Sequence, residues 1–443
     1  MTSPSAPADL QTSRRSLDWA NLAPLITLLA IIVVFGFLAT EFFSLGTISQ
    51  TLKRGAVLAI VSTGLTFVLL CAEIDLSVGT MALLSACVCG ILWAQPMSAG
   101  ARSAQNSRLT AVREISSAKE RIAVLGRKRD AARSALKQQP EANAEQQTAH
   151  ENIIRDSEDA ITKAMEVIQN SSKSTGVSAA EVRSTFFVIA IPFVVALGLG
   201  ICSGTLTVSS GLPSFIITLA MMNIATGLSR FLTLSQKYDV PQFLKSLGNA
   251  PLAKFYLFGR PLEIPQSAAL AAVVMVTAHI ALQHTRFGRY VYMTGGNRQA
   301  ARLAGVRTER IVVACLMICA LTAAGGGLVN AGRLESVSLD QNADLLLEAV
   351  ACVVLGGTSL FGGEGGIGRT AVGVLTFTIL RVGLEATDPE RLIKLSWLSP
   401  AWKQEIIKMS WVTQFDLLRP FLLGIVLMLA LVIHGRIVSS HKD

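Results

Sequence analysis

Apolar residues in this chain gather into long uninterrupted blocks, with polar residues collected between them. Blocks long enough to cross a bilayer, near 20 residues each, lie at about 22–40, 55–72 and 76–95. Further blocks lie at about 186–208, 213–234, 266–283, 310–331, 345–361, 367–386 and 418–434. The pattern predicts ten transmembrane helices. Several blocks are rich in glycine and alanine, small residues that let helices approach closely within a membrane.

Between 97 and 185 the pattern changes. Ile115, Ala118, Ile122, Leu125, Ala132 and Leu136 recur at spacings of three and four, broken only by Arg129. The rhythm stops at Gln138, Gln139 and Pro140, then resumes at Ile154, Ser157, Ile161, Ala164 and Ile168. Two amphipathic helices around a proline turn predict an antiparallel helical hairpin with coiled-coil-like contacts. Arms of about 30 residues would reach roughly 45 Å at 1.5 Å per residue. Serines and a glycine at 171–178 read as the return linker.

Composition agrees with a membrane protein. Of 443 residues 51% are hydrophobic and only 16% charged, well below the roughly 25% of soluble domains. The net charge of +9 lies mostly in loops. It suits anionic membrane lipid rather than nucleic acid, since no basic patch interleaved with aromatics accompanies it. Arg14 and Arg15 place the N-terminus inside, and the run that follows is too long for a signal-peptide core, so it reads as a first span. Counting spans then puts 97–185 outside and 284–310 inside. The charges agree: 332–344 has one base and three acids, whereas Arg286–Arg310 has six arginines against Glu309 alone. Near 385–417, Trp397, Trp402 and Trp411 with Ile406, Ile407 and Met409 suit a helix lying on the membrane surface.

Enzyme chemistry finds no support. The five histidines have no metal-ligand spacing, and no serine sits in a nucleophile elbow. All seven cysteines fall inside apolar segments, as small packing residues would. Gly363, Gly365 and Gly368 fit G-x-G-x-x-G, but Arg369 stands where a Walker A lysine would be, and both flanks are spans. A tight turn between two helices explains these glycines better. No catalytic residue, cofactor or metal site is expected, and energy for any pumping must come from another subunit.

The most distinctive polar stretch is RYVYMTGGNRQAARLAGV, Arg289–Val306. Gly295 and Gly296 permit a tight turn, Asn297 can cap a helix, and Gln299–Leu303 reads as a short amphipathic helix closed by Gly305. So short a helix needs a partner to dock on, although a plain basic loop would share the pattern. This stretch resembles the cytoplasmic coupling segment of ABC-importer permeases of the ribose/xylose/arabinose family. The resemblance extends to IDLSVG (Ile74–Gly79), GLPSFIITLAMMNIATGL (Gly211–Leu228) and EAVACVVLGGTSLFGGEGG (Glu348–Gly366), in the family's order. It covers most of the chain outside about 97–185 and 385–417.

The resemblance implies a permease subunit that moves a monosaccharide or related polyol inward across the bacterial inner membrane. Its expected partners are a cytoplasmic ATPase, a periplasmic or lipoprotein sugar-binding protein, a second permease copy and membrane lipid. Coupling to the ATPase falls to Gly295, Gly296, Asn297, Arg298, Ala300, Ala301, Arg302, Leu303 and Gly305. Candidates for the substrate pathway are Asp75, Ser77, Asn223, Glu348, Gly356, Gly357, Thr358 and Arg381. Departures from the family pattern occur at Ala72–Glu73, where Gly-Gly is usual, at Thr226 for arginine and at Arg381 for asparagine. Because a lone charge inside a span is costly, Arg381 is expected to pair with Glu348. Alternatives are an ion-coupled secondary transporter, with Glu348 as its coupling acid, or a permease-derived scaffold working through the hairpin. The expected fold class is all-α. Residues 1–96 carry the tail and spans 1–3, 97–185 the insertion, and 186–443 spans 4–10 with the coupling loop 284–310.

Overall fold

In the computed structural model the described residues are 19–39, 42–95, 99–138, 144–172, 179–257, 260–342, 344–387, 418–419, 421–425 and 428. The membrane-like helices come first: α1 (Trp19–Leu38), α2 (Leu45–Leu70) and α3 (Val78–Ala94). Two polar helices follow, α4 (Ala99–Gln138) and α5 (Ala144–Ser172), and then α6 (Ala179–Ser210) and α7 (Ser214–Thr233). A loop region holds β1 (Tyr238–Asp239), α8 (Gln242–Asn249), β2 (Pro251–Leu257) and β3 (Arg260–Pro265). After α9 (Gln266–His284) come the short α10 (Arg286–Gly296) and α11 (Arg298–Leu303). The chain continues with α12 (Thr308–Arg333), β4 (Ser336–Val337), α13 (Leu345–Leu355) and α14 (Ile367–Ala386).

Among the described residues, six helices are long and apolar enough to cross a membrane: α2, most of α6, α7, α9, α12 and α14. Apolar helices at Ala23–Leu38, Val78–Ala94 and Leu345–Leu355 are shorter. The block at 345–361 is cut short because Gly356 ends α13 and Gly357 takes φ +85°, a conformation glycine adopts without a steric penalty. The described residues are mostly helical, and six of the ten expected spans are present among them as helices of full length. The block at 418–434 lies largely outside the described residues, as do 388–417 with their three tryptophans. Two antiparallel ribbons, β1–β4 and β2–β3, interrupt the helices. The β2–β3 ribbon has a bulge between Pro251 and Ala253 and carries the exposed Lys254–Glu263 ion pair at 2.9 Å. That pair raises the Lys254 pKa and lowers that of Glu263.

The core is α2 packed antiparallel on α12, with α3, α13 and α14 around them. Small residues set the spacing. A Cβ at Gly64 of α2 would overlap Thr322 of α12, and one at Gly327 would overlap the Ala82 backbone of α3. Cys71 and Cys315 meet in this interior with their sulfurs 3.3 Å apart, and six of the seven cysteines are buried.

Helices α4 and α5 lie side by side in opposite directions. Arg133 pairs with Glu158 at 2.5 Å near the turn, and Ser171 Oγ donates to Glu114 at 2.7 Å toward the root. Ala118, Ala132, Ser157, Ile161 and Ala164 are buried between them. At 40 residues α4 is longer than the arm its periodicity predicts, about 60 Å at 1.5 Å per residue. At the root, Gln105 accepts a hydrogen bond from the Gln242 N–H at 3.0 Å.

Candidate functional site

At one end of the bundle three segments converge: the break between α2 and α3, the α10–α11 pair, and the glycine-rich loop between α13 and α14. Each is set by local chemistry. Thr285 caps α10 by accepting from the Gly288 N–H at 3.2 Å. Asn297 caps α11 by accepting from the Ala300 N–H at 2.9 Å, and Gly305, at φ +83°, turns the chain out of it, as glycine does after a helix. Gly295 and Gly296 do not form the expected turn. They complete α10, and the change of direction falls at Asn297. Gly295 is needed for contact instead, since a Cβ there would strike the Leu70 carbonyl and lie 2.9 Å from the Gly363 nitrogen.

The glycine loop is pinned to this junction. The Gly363 N–H donates to the Leu70 carbonyl at 3.0 Å, and the Tyr292 hydroxyl of α10 donates to the Gly365 carbonyl at 3.0 Å. Burial pushes the Tyr292 phenol above its usual pKa. Gly362 and Gly363 have φ +87° and +74° and press on Ala72 and Gly296. Thr358 is buried and its hydroxyl accepts from the Gly366 N–H at 3.4 Å, while Gly356 abuts the Arg369 backbone. Gly356, Gly357 and Thr358 thus shape this loop.

The α2–α3 break is held from two sides. Asp75, 3% exposed, accepts from the Ser77 N–H at 2.9 Å and the Ser77 hydroxyl at 2.6 Å. From α7, Ser214 Oγ accepts from the Ile74 N–H at 2.9 Å and Thr218 Oγ1 from the Leu76 N–H at 3.1 Å. Glu73, also buried, forms an ion pair with Arg298 at the start of α11.

Only one residue of α11, Ala301, is buried. Ala300 is exposed, and Leu303 is 85% exposed. Arg302 pairs with Glu309 at 2.7 Å and donates to Thr308 at 3.1 Å. On the neighbouring loop Phe361 is 90% exposed and Leu360 is exposed as well. The junction therefore shows a polar, arginine-bearing surface with bare apolar side chains.

The remaining candidates lie elsewhere. Asn223 is exposed on α7, and its side-chain amide donates to the Leu219 carbonyl of its own helix at 3.1 Å. Glu348 and Arg381 form an ion pair at the end of the bundle away from the junction. Arg381 Nε lies 3.7 Å from Glu385, which also pairs with Arg54 of α2. The sequence reading missed Arg54 and Glu385. The i,i+4 spacing of Arg381 and Glu385 was the signal available. It also missed Glu73 as the partner of Arg298, which is far away in sequence.

Several known proteins are similar. The ribose import permease protein of Escherichia coli K12 is 35% identical over 198 residues, 44% of this chain and 60% of that protein. A ribose import permease protein of Haemophilus influenzae is 25% identical over 381 residues, 86% of this chain and 89% of that protein. A fructose import permease protein of Rhizobium meliloti is 33% identical over 212 residues, 45% and 58% of the two chains. The matched stretch thus spans about three fifths of the Escherichia coli relative's length. No solved structure matches the chain. The family described as branched-chain amino acid transport system / permease component matches residues 47–431, well over half of the sequence, and the chain belongs to it.

Proposed function

We propose that this chain is the membrane-spanning permease subunit of an ATP-driven importer, carrying a monosaccharide or related small polyol inward. The observation that carries the reading is α11, a capped helix of six residues that buries only Ala301 and leaves Leu303 bare beside Phe361. A surface of this kind suits a groove on a partner. Relatives whose names give ribose or fructose import support the solute class, and they favour it over an ion-coupled transporter or a scaffold.

In this reading the α10–α11 end faces the cytoplasm of a bacterial inner-membrane protein and docks on a separate ATPase subunit. ATP-driven closure pushes on α11. The ion pair to Glu73 and the contacts of Gly295 and Gly363 pass the push to α2, α3 and the glycine loop. The opposite end receives sugar from a soluble binding protein, and a second copy of the chain completes the pathway. The α4–α5 pair then stands on the outer side. Ten spans in all, counting one at 418–434, keep the arrangement consistent with the arginine-rich loop inside.

Reconstitution with the ATPase and binding protein tests the proposal. Uptake should require ATP and continue when ion gradients are collapsed. Uptake that persists without ATP and follows an ion gradient would overturn it. Deleting 100–180 should leave transport intact, and loss of all transport in a correctly inserted deletion would favour the scaffold instead.

A further inference from the structure

The end of the bundle away from the junction contains a polar cavity whose wall includes two of the pathway candidates, Glu348 and Arg381. It has a volume of about 320 Å³ and lies between α2, α12, α13, α14 and the chain that follows β4. Arg54, Arg333 and Arg381 face four carboxylates in its wall, those of Asp340, Asp344, Glu348 and Glu385. Val57, Leu58 and Leu345 add an apolar strip to its lining. Much of the polar wall is fixed in place. Asn330 Nδ2 donates to Asn342 Oδ1 at 2.9 Å, and Asn330 Oδ1 accepts from Arg333 Nη2 at 2.9 Å.

Two polar atoms of this wall are buried with no partner among the described residues: Arg54 Nε, a donor, and Gln341 Oε1, an acceptor. A buried polar group without a partner is costly, so orphans of both kinds around one cavity call for a guest with both donors and acceptors. The charges narrow the class further. Three cations against four anions leave no excess to hold a phosphate or a carboxylate, and the arginines oppose a bare metal cation. The apolar strip adds a place for C–H groups.

We propose that this cavity is a subsite for one neutral polyhydroxylated ring of monosaccharide size. It would hold the ring within a single protomer, roughly 24 Å from the junction along α2 (Arg54 to Leu70 at 1.5 Å per residue). Hydroxyls of the ring satisfy Arg54 Nε and Gln341 Oε1, and its C–H face lies on Val57 and Leu58. The 320 Å³ gives space for about ten waters at ~30 Å³ each, enough for one ring with some hydration and too little for a long oligosaccharide. The inference deepens the permease reading, on which it rests for the class of solute.

The test uses the full chain in right-side-out membrane vesicles with Cys202→Ser, which removes the one exposed cysteine among the described residues. Leu334 lines the cavity and is 40% exposed, so Leu334→Cys reports on it without removing a polar contact. A membrane-impermeant maleimide should label this cysteine. D-ribose, D-xylose, D-fructose or myo-inositol at tens of millimolar should slow labelling at least threefold, and potassium phosphate should not. Adding Arg54→Gln should abolish the protection. Labelling untouched by all four compounds, or no labelling from outside, would overturn the subsite. Uptake measured in the same vesicles separates the two claims: unprotected labelling with active ATP-driven uptake refutes the subsite alone. Protected labelling without ATP-driven uptake supports the subsite and refutes the permease reading.

Discussion

Thr218 of α7 takes the hydrogen bond of the Leu76 N–H at 3.1 Å, so the backbone of the α2–α3 break hangs on a hydroxyl from another helix. The same hydroxyl lies 3.2 Å from the Ile74 carbonyl. Thr218 is fully buried, and no water can replace it there. Thr218→Val keeps the shape and removes the acceptor, leaving a buried N–H unpaired at a cost of about 1–3 kcal/mol. Thermal unfolding of the purified protein should move down, with uptake reduced, while Thr218→Ser restores both. A valine variant as stable as the parent would show that the break is held by other contacts.

Gly295 and Gly296 are adjacent in sequence and should respond differently to the same change. A Cβ at Gly295 would run into the Leu70 carbonyl, whereas one at Gly296 meets nothing within 4 Å. Overpacking of this kind costs about 1–3 kcal/mol. We expect Gly295→Ala to lower thermal stability and to cut uptake severely, and Gly296→Ala to behave as the parent does. Equal behaviour of the two variants would remove the close approach as the reason for glycine at 295.

For docking on the ATPase, the informative substitutions are Leu303→Asp and Phe361→Asp. Both side chains are largely exposed, and surface changes stay within about 0.5 kcal/mol in stability. Uptake should fall at least tenfold while expression and ATP hydrolysis by the partner continue. Normal uptake in both variants would refute the docking surface. Ala301→Asp is a poor probe by comparison, because Ala301 is 1% exposed and a charge there would disturb the fold first.

The α4–α5 pair gives a test of sidedness. Ile161→Asp places a charge between the two helices, where Ile161 is 9% exposed, and should open the pair to trypsin without blocking membrane insertion. Cleavage should occur in spheroplasts and be absent in inside-out vesicles. The reverse pattern would invert the assignment of every loop.

The apolar blocks are legible in the sequence because a bilayer-spanning helix must be long and continuously apolar, and α2, α7, α9, α12 and α14 follow from that constraint. The cap at Asn297 is legible because its partner lies three residues on. What escapes is long-range or geometric. Glu73 meets Arg298 across 225 residues, and nothing local marks the pair. Arg54 sits just before the block at 55–72, where it reads as a flank, yet it faces a cavity. The doublet Gly295–Gly296 suggests a turn by its conformational freedom, whereas Gly295 serves by having no side chain. The β2–β3 ribbon escapes because its pairing depends on the chain returning at Arg260, not on strict alternation along Pro251–Leu257.

Arg381 and Glu348 illustrate how cost predicts contact. A charge at the centre of a membrane helix costs about 2.5–3.5 kcal/mol on insertion scales, and antiparallel α13 and α14 bring these two residues to the same end of the bundle. The structure joins them, with the Glu348 side chain 13% exposed and that of Arg381 38%. Arg381 also faces Glu385 one turn away at 3.7 Å, so removing Glu348 leaves the arginine a second acid, while removing Arg381 takes from Glu348 its one ion-pair partner among the described residues. The two single variants should therefore be unequal. Arg381→Leu should destabilise by about 2 kcal/mol, discounted from the fully buried case for its exposure, and Glu348→Leu by less. The double variant should recover folding, with a coupling of about 1–2 kcal/mol in the cycle, but not uptake if the pair also touches solute. Thermal unfolding gives the first quantity and vesicle uptake the second. Additive effects on stability, with both single variants still transporting, would mean that the contact contributes neither to the fold nor to the pathway.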